Sequence, residues 1–199
     1  MTELFPERIE TKRLLLEPLS TVDVTGLYEI CAKDDGIEEV TEYMPWSPHE
    51  TPKETADHLE ESAEHWDDNE HAGYVIRPRE GEDGAGEIAG DTALHVDWDR
   101  RLGTMGLWLR KRFWGRGYSG ERAAALLAVA FDELDLEAVS VSHMVGNENS
   151  RKAIARYVEP HGGRHEGLLR NFVTVDLENG GAADAHRYTI TAAEFEANR

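Results

Sequence analysis

The chain has 199 residues and 40% hydrophobic content, enough for one or two compact domains with a real core, which excludes a disordered chain or a small stapled scaffold. Its 21 Lys and Arg stand against 40 Asp and Glu, a formal charge of −19, so a general nucleic-acid or anionic-membrane surface would oppose its own field. A single cysteine, Cys31, excludes an intramolecular disulfide and any multi-thiolate zinc site.

No run of residues approaches the roughly 18 apolar positions of a membrane span, and Met1-Thr2-Glu3-Leu4 does not open a basic region leading into an apolar run. The expectation is a soluble, cytoplasmic chain. Arg outnumbers Lys 16 to 5 while acids are spread over nearly every segment, a balance that resembles the halophilic, haloarchaeal-like composition in which concentrated salt screens self-repulsion.

In chain order, Lys12 to Leu19 reads as a short strand built on Leu14, Leu15 and Leu16, and Thr21 to Ala32 has helical spacing through Val24, Leu27 and Tyr28. Gly36 to Pro52 is irregular and groups Tyr43, Met44, Pro45 and Trp46 in a proline-marked loop. Pro52 to Asp67 follows as an amphipathic helix with Ala56, Leu59, Ala63 and Trp66 on one face. Tyr74 to Ile76 and Glu87 to Val96 form a hairpin around the acidic, Gly-rich turn from Glu80 to Gly86. Leu102 to Leu109 is a strand that gives way to Arg110 to Gly120 and then to a helix with Ala123, Leu126, Leu127, Ala130 and Phe131 on one face. Glu137 to His143 alternates as a strand, Asn147 or Asn149 begins a helix that continues to Tyr157, and Gly167 to Leu177 with Ala185 to Ile190 closes the chain as a hairpin around Asn179-Gly180-Gly181. No repeat or linker divides this order, which predicts one α+β domain over residues 1–199 with its core at about residues 10–190.

Positive charge collects in one window. Residues 100–122 hold Arg100, Arg101, Arg110, Lys111, Arg112, Arg116 and Arg122 against Glu121 alone, a local +6 inside the acidic chain. Within it, Arg112-Phe113-Trp114-Gly115-Arg116-Gly117-Tyr118-Ser119-Gly120 places glycines where a strand turns into a helix, letting backbone N–H groups approach a phosphate at the positive end of the helix dipole. A Walker A loop is excluded because Gly120 is followed by Glu121 and Arg122. Gly115, Gly117 and Gly120 satisfy the G-x-G-x-x-G spacing of a dinucleotide fold, but they follow antiparallel hairpins. The expected ligand is a pyrophosphate or a similar anion.

Arg112-x-x-Gly115-x-Gly117 between a strand and a helix resembles the pyrophosphate loop of the GNAT superfamily of N-acetyltransferases. Lys12 to Leu19 is similar to the opening strand of its RimJ/RimL-like branch, Gly106-Leu107-Trp108-Leu109 to the strand before the loop, and Asn147-x-x-Ser150 and Glu166-Gly167 to later signatures. The resemblance implies a mixed, mostly antiparallel twisted sheet of about seven strands, about four flanking helices and a splayed central parallel strand pair. It implies acetyl-CoA as cosubstrate, with Leu107, Trp108 and Leu109 along the pantetheine arm and a backbone N–H there polarising the thioester carbonyl. Arg112, Trp114, Gly115, Gly117, Tyr118, Ser119 and Gly120 would hold the pyrophosphate, supported by Arg110, Lys111 and Arg116, with Asn147 on the far side. The acceptor would be a primary amine, a protein N-terminus or a small molecule, attacking directly in a ternary complex of a monomer or homodimer. A noncatalytic acyl-CoA-binding sensor of the same fold is the alternative.

Such transfer needs one group to accept a proton from the amine and another to protonate the departing thiolate. Ser150 matches the branch's thiolate proton donor. For the base, Glu87, Asp91, His95 and His143 are read as strand residues bordering the cleft, with His143 the preferred histidine and Glu87 a carboxylate candidate. Thr104 stands where many relatives carry glutamate, Tyr157 reads as core, and Val158 to Gly163 departs from the family pattern. Tyr43, Met44 and Trp46 resemble the segment that borders the acceptor pocket, where an aromatic lining near Glu42 and His49 suits a cationic amine. His58, His65 and His71, spaced by 7 and 6, do not share a helical face, so no metal is expected.

Overall fold

The computed structural model describes residues 4–176 and 181–199, so Asn179 and Gly180 of the expected closing turn lie outside the described residues. Eight strands and six α-helices are present among them, one strand and two helices more than short-range periodicity reveals. A two-residue strand β1 (Ile9–Glu10) precedes β2 (Leu14–Pro18), and α1 (Val24–Lys33) begins at Asp23, whose carboxylate accepts the Gly26 N–H. The region read as irregular contains a short helix, α2 (Ile37–Thr41). α3 (Pro52–Asp67) has the bounds read from sequence because Thr51 and Glu54 form a capping box and Pro52 opens the first turn. Its inner face is Thr55, Leu59 and Ser62, with Ala56, Ala63 and Trp66 only half-buried.

β3 (His71–Pro78), β4 (Gly90–Asp97) and β5 (Leu102–Leu109) form a meander. α4 (Tyr118–Ala128) follows and widens into a π turn over Val129–Glu133. β6 (Ala138–Met144), α5 (Glu148–Val158), β7 (Arg164–Asp176), β8 (Gly181–Thr191) and α6 (Ala192–Ala197) complete the chain. The sheet order is β1-β2-β3-β4-β5-β6-β8-β7, antiparallel throughout except for β5 and β6.

Two apolar clusters cover the two faces. One joins Leu14, Leu16, Tyr74, Ile76, Leu94 and Met105 to Leu126, Leu127, Ile154 and Tyr157 of α4 and α5. The other sets Val75 and Trp108 against Leu27, Cys31, Val40 and Leu59 of α1 to α3. Alternation along each strand therefore decides which helical layer a side chain meets.

Candidate active site

The parallel pair is short. Leu102, Gly103 and Thr104 pair with Ala138, Val139 and Ser140, and there the pairing ends. Beyond it β5 continues with β4, Met105 opposite Leu94 through Leu109 opposite Gly90, while β6 continues with β8, Val141 opposite Tyr188 through Met144 opposite Ala185. The two strands therefore diverge around an open wedge. At its closed end the Thr104 and Ser140 hydroxyls sit 3.0 Å apart and Ser140 also donates to Gly103 O.

The Arg110 N–H donates to Ala89 O on the β4 side, so the period of two turns the backbone groups of Leu107 and Leu109 into the wedge. The Trp114 indole takes Leu109 O at 2.7 Å, leaving the Leu107 N–H and C=O and the Leu109 N–H as its polar lining. Gly90 holds β4 against this segment: a Cβ there would lie 2.2 Å from Trp108 O.

At the wide end, a single 3₁₀ turn over Lys111–Phe113 leads to Gly115 and Gly117, with φ of +75° and +80°. Both are left-handed conformations that suit glycine. Gly117 is the N-cap of α4 and supplies no side-chain cap, so the first N–H groups of that helix are free to meet an anion, and a Cβ on Gly115 would point into open space. Arg13 pins the turn from the far end of the sheet, donating to Arg116 O at 2.9 Å and pairing with Glu121 at 2.7 Å, while Glu121 also accepts from the Arg13 N–H and Thr11 Oγ1. Sequence reading treated Arg13 as part of a strand motif and missed this role.

Four of the cations in this window are met by acids from two other segments. Arg110 makes a bidentate pair with Asp34 at 2.9 and 2.5 Å, Lys111 pairs with Glu39, Arg112 with Glu87 at 2.7 Å, and Arg116 with Asp83 at 2.7 Å. Hydrogen bonding to Arg116 holds the Asp83 carboxyl below its ordinary range. Glu87 requires a correction: it lies in the β3–β4 loop, not on β4, because the ladder starts only at Gly90, and its carboxylate serves Arg112 and Arg110.

Across the wedge, Asn147 caps α5, its Oδ1 accepting the Ser150 N–H at 2.9 Å. His143 is buried on β6 with Nδ1 at 3.0 Å from Met144 O and Nε2 at 3.3 Å from the Tyr188 hydroxyl, and burial lowers its pKa. Leu107 to Leu109 thus line the β5 side of the wedge, the Gly115–Gly120 turn follows β5, and the Asn147–Ser150 turn follows β6, on which His143 lies.

Residues 13–157 match the acetyltransferase (GNAT) domain. The chain belongs to the GNAT acetyltransferase family. It is 32% identical over 115 residues, 57% of this chain and 59% of the relative's own length, to YdaF of Bacillus subtilis (strain 168), provisionally named a ribosomal N-acetyltransferase. Its fold is similar to that of MccE, the microcin C7 self-immunity acetyltransferase crystallised with acetyl-CoA and AMP, at a TM-score of 0.77 and 19% identity over 95% of this chain and 98% of that one. RimL, a ribosomal L7/L12 α-N-protein acetyltransferase, gives 0.75 and 18% over 93% and 94%.

In this GNAT domain the family match ends at Tyr157, where the sequence turns to Val158-Glu159-Pro160. Tyr157 is core, as its pattern implied. Beside it lies a residue that the sequence reading counted merely as a cation. Arg122 is 1% exposed, its Nη1 3.5 Å from Met105 Sδ and its guanidinium 5.8 Å from the Tyr157 ring centroid. The Arg122 Nε and the Tyr157 hydroxyl have no hydrogen-bond partner among the described residues. The signal was present in sequence: Tyr118, Arg122 and Leu126 share one helical stripe.

The Tyr43–Trp46 loop of the GNAT domain spans the mouth of the wedge. At one end the Tyr43 hydroxyl lies beside Gly146, 3.4 Å from where a Cβ would stand, just before Asn147. At the other, Trp46 packs edge-on to Trp108 with centroids 5.5 Å apart, and Met44 and Trp46 lie on the α1–α3 cluster. His95 sits elsewhere, with His65 and His71 around a cavity of about 360 Å³. The His71 and His95 rings are 4.0 Å apart, and burial drives His71 down to about 3. Among the described residues no group of three His, Cys, Asp or Glu side chains is arranged to hold a metal, and no helix is long and apolar enough to cross a membrane.

Proposed function

We propose that the chain is an acetyl-CoA-dependent N-acetyltransferase acting on primary amines, with the α-amine of a protein N-terminus as the preferred acceptor and small amines as the competing class. The observation that carries this reading is the wedge between β5 and β6, which leaves the Leu107 amide unpaired beside an uncapped, glycine-lined helix start. A thioester carbonyl at Leu107 would be polarised by a fixed N–H dipole, and a diphosphate would meet the α4 amides from Tyr118 to Gly120. The amine nitrogen attacks the carbonyl carbon, the carbon–sulfur bond breaks, the nitrogen gives up one proton and the thiolate takes one. Ser150 is assigned as the donor to sulfur and Asn147 as a contact to the cofactor arm. His143 is assigned a supporting role behind β6, where burial keeps it neutral. Arg112 and Arg116 are assigned to exchange their carboxylates for phosphate oxygens as the diphosphate arrives.

The names of YdaF and RimL support a ribosomal-protein N-terminus as acceptor, and the charge of −19 supports work in a salt-rich cytoplasm. The test is release of free thiol from acetyl-CoA against N-terminal peptides and polyamines at several salt concentrations. Turnover with peptides above polyamines is expected. Saturable acetyl-CoA binding without turnover on any amine would instead identify a sensor, and calorimetry showing no binding at high or low ionic strength would end the proposal.

A further inference from the structure

The α1–α3 face of the wedge carries a polar cluster that none of the assigned roles uses. Asp91 is the cross-strand partner of Trp108, within the part of β5 that has left β6, and strands so paired lie about 4.8 Å apart. Its side chain is 15% exposed, and its Oδ2 accepts the Trp108 indole N–H at 2.7 Å. His58 reaches over from α3, Nε2 at 3.9 Å from the same oxygen. Trp46 closes the side, edge-on to Trp108 and 5.6 Å from the His49 ring, and His49 is fixed by Thr55 at 2.7 Å. A carboxylate walled by indole rings one residue from the Leu107 amide is a place for a cation that must then lose a proton.

We propose that Asp91 receives the ammonium group of the acceptor and that the Asp91–His58 pair takes a proton from it before the nitrogen attacks the thioester. This rests on the transferase reading above. The pair first takes one proton from the ammonium and passes it to solvent, which frees the nitrogen lone pair; the carbon–nitrogen bond then forms at the carbonyl carbon, the sulfur leaves with the bonding electrons, and the second proton lost from nitrogen balances the one that Ser150 delivers to sulfur. The groups that bear on this site from the surrounding elements are Cys31 and Asp34 from α1 and its end, His49 from the loop, Glu54 and Glu61 from α3, and His71 from β3. Cys31 is no rival, since burial, with Asp91 and Asp34 adding to it, pushes its thiol up to about 12. The Asp91 carboxylate beside it raises the His58 pKa, which sets an acid limb that the variants below should move.

Asp91→Asn keeps an oxygen for the Trp108 indole and so preserves the fold, while His58→Gln changes a half-exposed side chain. Acetyl-CoA affinity by calorimetry should stay within twofold for both. For Asp91→Asn, kcat/KM for alkylamines should fall at least 100-fold with KM rising, whereas KM for a weakly basic aromatic amine, which arrives neutral, should not move. For His58→Gln, kcat/KM should fall about tenfold and the acid limb of its pH profile should shift down. An Asp91→Asn enzyme with wild-type kcat/KM and an unmoved pH profile overturns the assignment and leaves the transferase reading standing. Wild-type protein that fails to bind acetyl-CoA ends both.

Discussion

Arg122→Met should make this protein more stable. Burial lowers the pKa of the Arg122 guanidinium, which is 1% exposed, and no carboxylate pairs with it among the described residues; its near neighbours are a thioether and a phenol. Taking a lone charge out of water costs several kcal/mol, and exchanging buried ionic groups for apolar ones of similar length gains about 1–4 kcal/mol even where a counter-ion had repaid part of that cost. Here no partner is orphaned by the exchange, so a gain of about 2 kcal/mol is a conservative expectation. At about 2–4 °C per kcal/mol for a domain of this size, the thermal midpoint should rise by about 4–8 °C. Tyr157→Phe, which deletes the neighbouring unpartnered hydroxyl, should leave the midpoint unchanged or raise it slightly. Circular dichroism melts of the two variants and the double variant read this directly. A fall of several degrees for Arg122→Met would mean that the charge is compensated and would refute the reasoning.

Gly117→Val forces a β-branched residue to φ of +80°, at a cost of about 1–3 kcal/mol, and crowds the α4 amides; acetyl-CoA affinity measured by calorimetry should drop at least tenfold. Arg112→Glu places a second carboxylate against Glu87 and should weaken the same binding by about 2 kcal/mol, with unchanged affinity removing Arg112 from the assigned loop. Ser150→Ala should reduce kcat while leaving acetyl-CoA affinity intact, and an unaltered rate would take Ser150 out of the mechanism. Because the folded-state pKa of His71 lies near 3 against 6.5 for a free imidazole, its contribution to stability is present above pH 6.5 and lost as the pH falls toward 3. Urea midpoints across that window should fall, and His71→Gln should flatten the slope.

Two elements were legible to the residue, whereas β7 and β8, which start at Arg164 and Gly181, begin earlier than the expected Gly167 and Ala185. Leu102–Leu109 and Pro52–Asp67 have the bounds that alternation and a capping box predict. α2 and α6, at five and six residues, and β1, at two, are too short to show a period, and each is held by tertiary packing. The glycine turn was readable because backbone geometry at Gly115 and Gly117 depends on local residue type alone. Its electrostatics were not. Arg110 finds Asp34 76 residues away and Arg13 finds Glu121 at a separation of 108, distances over which sequence carries no pairing signal. Glu87 was misplaced for the same reason, an acid beside a strand whose partners sit 23 and 25 residues further on.

The shielding of the phosphate turn has a consequence for discrimination. Asp34, Glu39, Asp83 and Glu87 occupy the cationic heads that a passing polyanion would seek, so RNA and other abundant phosphate polymers meet a neutralised surface. Only a guest slim enough to reach the main-chain amides behind those heads gains anything by prising them loose. Selectivity at the turn is thereby vested in peptide dipoles, which no mutation of a side chain can reverse in sign.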